Sequence, residues 1–164
     1  MAGPRPAGRL HVVVLAPDGV RRPAGLAAWL AGIAPRGSRG ELTVALVSDR
    51  RMRSLNRTFR GVDRATDVLS FAGEPPQLGD IVIATGVAAR QAREAGHALG
   101  TEVRVLALHG LLHLLGFDHD GDDGAMARVE QRLRRRGGLS EGLIERVSPP
   151  RRRGAAGDGG RRRR

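Results

Sequence analysis

The chain has 164 residues, enough for one domain with a real core and too few for two comfortable ones. Cysteine is absent, which excludes disulfides, thiolate metal sites and cysteine nucleophiles, so any metal must be held by His, Asp or Glu. All the positive charge behind the net +11 is arginine; the segment Ser148–Arg164 carries +6 of it, and either a polyanionic partner such as nucleic acid or an arginine-rich codon usage explains the excess.

Residues 1–9 form a Gly/Pro/Arg lead that is not expected to fold. Leu10–Ala16 is rich in β-branched residues and stops at Pro17-Asp18-Gly19, which reads as a strand. The run is far short of the roughly 18–20 apolar residues that span a bilayer, and no small-residue cleavage pattern follows it. A soluble, cytoplasmic protein with no membrane partner is expected. His11 reads as a surface or edge residue. Leu26, Leu30 and Ile33 recur at helical spacing within residues 22–33, with Trp29 beside them for core packing.

After a loop over Pro35–Gly40, Glu41–Val47 alternates as a second strand. Ser48-Asp49 offers a helix N-cap, and Met52, Leu55 and Asn56 share a face of a helix ending near Arg60-Gly61. Thr66–Phe71 reads as extended, Gly73–Gly79 as a loop, and Gly79–Ala84 as a strand with an Ile-Val-Ile centre. Thr85 is placed as the cap of a helix running through Glu94, with His97 near its end in a structural or solvent-facing role. From Gly100-Thr101-Glu102 a central helix begins, and Val103–Leu115 is apolar nearly all round, the profile of a buried helix. Gly116 supplies a turn. Beyond the loop Gly121–Gly124, Ala125–Arg136 is a last helix with Met126, Val129 and Leu133 facing inward, stopped by Gly137-Gly138. The class expected is α+β: one domain over residues 10–147 with a small mixed sheet packed against helices, followed by an Arg/Gly/Pro-rich tail over residues 148–164.

The chemistry concentrates in the central helix. His109 and His113 stand four apart, so they share a helical face with Cβ atoms roughly 5–6 Å apart. His119 follows the Gly116 turn and can swing back toward them. Three neutral imidazoles converging on one point make a catalytic-type zinc site with a fourth position for water. Nickel, copper or iron remain open from ligand type. The spacing H-x-x-x-H-x-x-G-x-x-H is that of metzincin proteases, which carry Glu directly after the first His as general base. Gly110 occupies that position here and can accept no proton, so a peptidase reading falls behind.

The run His109-Gly-Leu-Leu-His113-Leu-Leu-Gly116-Phe-Asp118-His119 resembles the signature of the YbeY family, bacterial zinc-dependent endoribonucleases of rRNA maturation. Leu55–Gly61, Thr66–Phe71 and Leu78–Ile83 agree with it and occur in the family's order, over a span from about Leu10 to Leu139. Ala72 departs from the family, which commonly has proline there, and the arginine-rich tail is an addition. The resemblance implies cleavage of single-stranded rRNA in 16S rRNA 3′-end maturation and ribosome quality control. It implies one zinc ion per chain on His109, His113 and His119, with Arg60 acting on RNA and no organic cofactor. Arg60 is also the kind of residue that simply ends a helix. Asp118 would orient a ligand, accept a proton, or only cap the turn. Phe117 is expected in the core rather than against a base. The alternatives from other classes are a non-catalytic, zinc-containing ribosome-assembly factor and a zinc hydrolase of peptides or small molecules.

Overall fold

Strand β2 (Gly40–Val47) sets the two faces of the molecule, because Leu42, Val44 and Leu46 are buried while the residues between them are only partly covered. The computed structural model describes residues 8–17, 19–117 and 124–139. Around β2 lie β1 (Leu10–Leu15), β3 (Val68–Ala72) and β4 (Gln77–Ala84), in the order β1-β2-β4-β3. The first three strands in that order pair in parallel, and β3 runs antiparallel to β4 at the edge. This is the small mixed sheet of the α+β class. The helices are α1 (Leu26–Ile33), α2 (Asp49–Arg60), α3 (Thr85–Ala95), α4 (Leu99–Leu114) and α5 (Ala125–Arg136). No described helix is long and apolar enough to cross a membrane.

The larger core joins Leu42, Val44, Leu46, Ile81 and Ile83 of the sheet to α1, α4 and α5. On the other face, Met52 and Leu55 of α2 pack over Leu69, Val82 and Ala45. Trp29 on α1 is half-buried against the larger core, and its Nε1–H donates to the Gly137 carbonyl at 2.8 Å, tying α1 to the end of α5. His11 is exposed on the edge strand β1, as expected.

Several boundaries differ from the sequence expectation for identifiable reasons. Helix α1 starts at Leu26 rather than residue 22, since Pro23 and Gly25 (φ +71°) occupy the preceding turn. Strand β4 begins at Gln77, inside the expected loop, because the chain reverses tightly over residues 73–77 with Gly73 N–H donating to the Leu78 carbonyl at 3.0 Å. The register against β2 slips between Glu41 and Leu42, a bulge that leaves Gly79 at φ +153° within the strand. Thr85 does not cap α3. It is the first helical residue, and its hydroxyl donates to the Val47 carbonyl at 3.2 Å. The cap comes instead from Asp49, whose Oδ1 accepts from Val87 N–H at 3.0 Å while Oδ2 meets Arg90 at 3.1 Å. Gly86 makes room for that carboxylate, since a Cβ there would strike it. Ser48 does cap α2, accepting from Arg51 N–H at 3.1 Å. His97 is structural: its Nε2 lies 2.6 Å from Oε2 of the buried Glu102.

Candidate metal centre

Helix α4 is buried along most of its length, through Val103, Leu106–Leu108 and Gly110–Leu112. Its uncovered stripe carries His109, half-buried, and His113, exposed. The two imidazoles therefore avoid the desolvation expected of groups in a helix covered on all sides. What draws attention is their geometry: Nε2 of His109 and Nε2 of His113 lie 3.0 Å apart, with the rings edge to face at 79°.

Gly110, between them in sequence, points the other way. A Cβ there would meet Ile81 Cγ2 at 2.9 Å and Ser70 Oγ at 3.0 Å, so the position is pressed against β3 and β4. The place where the protease pattern needs its glutamate faces the sheet and not the histidines. No general base reaches the centre from there.

A carboxylate reaches it from α5. Glu130 is only 7% exposed, and its Oε1 lies 3.6 Å from Nδ1 of His109. That separation is an electrostatic contact rather than a full hydrogen bond. The same oxygen accepts from Arg134 Nη2 at 2.8 Å. Burial pushes the Glu130 carboxyl up, but the His109 ring and the Arg134 guanidinium outweigh it, leaving the carboxyl below its ordinary range. Glu130 is thus an anion at neutral pH. It favours the tautomer of His109 with the proton on Nδ1, which leaves the Nε2 lone pair directed at the space shared with His113. Two imidazole nitrogens converging in this way, one backed by a carboxylate, fit a divalent transition metal. Among the described residues no third imidazole or carboxylate completes a ligand set. His119 and Asp118, the expected third ligand and its neighbour, lie outside the described residues.

Arg60 is the last residue of α2, where Gly61 at φ +68° closes the helix. It is exposed, and among the described residues no hydrogen bond or ion pair engages it, so none joins it to the histidines. Asn56 in the same block is buried and donates from Nδ2 to the Arg64 carbonyl at 2.9 Å, holding the chain that follows α2. Phe117 packs against the larger core, as expected.

Glu130 was not anticipated from the sequence. The signal was present: Met126, Glu130 and Leu133 fall at i, i+4 and i+7, which puts a carboxylate on the inward stripe of α5 with Arg134 four residues on.

The family model described as endoribonuclease YbeY matches residues 28–136. A relative named endoribonuclease YbeY from Solibacter usitatus (strain Ellin6076) is 54% identical over 102 residues, 62% of this chain and 69% of that protein. One of the same name from Koribacter versatilis (strain Ellin345) is 47% identical over 115 residues, covering 70% and 76%. The chloroplastic endoribonuclease YBEY of Arabidopsis thaliana is 46% identical over 116 residues, 64% of this chain and 20% of the longer plant protein. Among solved structures, the solution structure of TM1509 from Thermotoga maritima superposes with a TM-score of 0.54 at 26% identity, covering 87% of this chain and 99% of that one.

Proposed function

The chain belongs to the endoribonuclease YbeY family, and on that premise we propose that it is a single-strand-specific, zinc-dependent endoribonuclease of 16S rRNA 3′-end maturation and ribosome quality control. The observation that carries the reading is the pair of imidazole nitrogens 3.0 Å apart on the open stripe of α4, backed by the buried Glu130. One zinc ion per chain would be held by His109, His113 and His119. Bound there, zinc supplies a water of lowered pKa and a Lewis acid for a phosphoryl oxygen.

The side chains divide the remaining work. Glu130 fixes the His109 tautomer and presents its Nε2 lone pair. Arg60 takes a phosphate through its guanidinium fork and stabilises charge that develops on it. Asp118 stands beside His119 in sequence as the candidate proton acceptor or ligand orienter. The positive balance of the chain suits single-stranded rRNA and ribosomal subunits as partners, in the cytoplasm where rRNA matures. Residues 10–147 form the functional unit, and the tail beyond them adds arginine.

Elemental analysis of the purified protein, together with cleavage of matched single-stranded and duplex RNA, tests this. One metal equivalent is expected, with cleavage confined to the single strand, lost with its metal in His113→Ala and impaired with metal retained in Arg60→Ala. Metal-loaded protein that cuts neither RNA would overturn the reading.

A further inference from the structure

Phe59 is the residue that the metal centre leaves unexplained. The chain has three Phe, one Trp and no Tyr, and Trp29, Phe71 and Phe117 are all partly buried. Phe59 alone among the described aromatic side chains stands open, at 62% exposure. Its ring is nonetheless braced, because Phe71 of β3 meets it edge to face with centroids 5.1 Å apart and planes at 65°. Arg57 and Arg60 flank it in the last turn of α2, both exposed. Asp63, the acidic neighbour, is taken up by Arg53 at 2.9 and 3.0 Å, with Arg57 only at 3.9 Å, so the charge around the ring stays positive.

A rigid, open aromatic face among arginines suits an unpaired base with a phosphate on each side, because every base offers a π-face and stacking is tolerant of sequence. β3 connects this place to the metal centre. Phe71 braces Phe59, while its neighbour Ser70 projects to the opposite face of the strand and donates to the Gly110 carbonyl, 3.4 Å away, between the two histidines in α4. Helix α4 lies between that contact and the open stripe that carries the histidines, so a strand that reaches both places wraps the edge of β3 and then α4.

We propose that Phe59 is a base-stacking platform for single-stranded RNA, holding one nucleotide of the strand whose scissile phosphate lies at the histidines. The proposal rests on the endoribonuclease reading and adds a binding register that this reading does not contain. A stacked base also supplies a physical reason for preferring single strands, since a paired base has no free face to offer.

The test uses the full-length protein with chelated metal, so that RNA is bound and not cut, and a labelled single-stranded oligoribonucleotide carrying one abasic position moved along its length. In the wild-type protein one abasic position weakens binding by roughly five-fold or more, the loss expected of one stacked base. Phe59→Ala weakens binding of the intact strand by a similar factor and is indifferent to that same abasic position. Phe59→Leu, which keeps apolar bulk without a ring, behaves as Phe59→Ala. Additive losses in the double substitution, or wild-type affinity in Phe59→Leu, overturn the platform. If metal-loaded wild-type protein still cuts the intact strand in that case, the endoribonuclease reading stands and only the platform falls. If the protein neither binds nor cuts single strands, both fall.

Discussion

Replacing Gly110 and Gly32 with alanine separates helix propensity from packing, because the chemistry of the change is the same at both. Each lies within a helix, and Gly→Ala in a helix interior contributes up to about 1 kcal/mol of stability. At Gly32, exposed on α1, a new Cβ meets nothing within 4 Å. Its proximity to the helix end trims the gain, so Gly32→Ala should stabilise by about 0.5–1 kcal/mol. At Gly110 the Cβ would lie 2.9 and 3.1 Å from Ile81 carbons and 3.0 Å from Ser70 Oγ. Ordinary carbon contacts sit near 3.5–4.0 Å, so α4 or β4 must move by about half an ångström or more. Ile81 is fully buried on a strand with partners on both sides and has little room to yield. Overpacking of this kind costs about 1–3 kcal/mol, and after the propensity gain the net is about 0–2 kcal/mol of destabilisation. Urea unfolding in the presence of chelator, which removes any stabilisation by bound metal, gives both midpoints. Gly32→Ala should move the midpoint up and Gly110→Ala down or nowhere, with m unchanged in both. A Gly110→Ala protein stabilised as much as Gly32→Ala would show that α4 does not lie as close to the sheet as described. A side chain at that position would then have room to turn toward the histidines.

Glu130→Gln should weaken metal binding by about 10–100-fold in a chelator-competition assay while leaving the fold intact, since the amide keeps the shape but loses the charge that orients His109. Unchanged affinity would remove Glu130 from the site. Asp49→Ala should cost about 0.5–2 kcal/mol in the same urea experiment, because Val87 N–H loses its acceptor and no side chain at the cap position replaces it. The Asp63 carboxyl, held below its ordinary range by hydrogen bonding to Arg53, should titrate low by carbon-detected NMR and return toward normal in Arg53→Gln. Its folded-state pKa is depressed, so whatever it contributes to stability is present above the ordinary carboxylate range and lost as pH falls through the depressed value.

The elements that the sequence announces most clearly are those fixed by local physics. Ala125–Arg136 is a helix with its predicted ends because its apolar stripe and the following glycines act within a few residues. Ser48 caps α2 because its hydroxyl meets an N–H three residues on. The histidine pair is legible for the same reason, since spacing alone puts both rings on one stripe. The features that were missed are set by partners distant in the chain. The cap of α3 comes from Asp49, 38 residues before the Val87 N–H that donates to it, and no window around Thr85 contains it. Glu130 becomes part of the centre only when α5 docks against α4. The early start of β4 follows from a tight reversal that pairs it back on β3 and from a bulge against β2, neither of which has a signature in hydrophobic alternation.

Trp29 has a use that its packing role conceals. It is the chain's only tryptophan, and its indole N–H bonds the Gly137 carbonyl just past the end of α5. The same helix brings Glu130 up to His109. Any loosening of α5 that withdraws this carboxylate also changes the surroundings of the indole. The protein therefore carries a built-in fluorophore whose emission reports, without any label, whether the helix behind the histidines is seated.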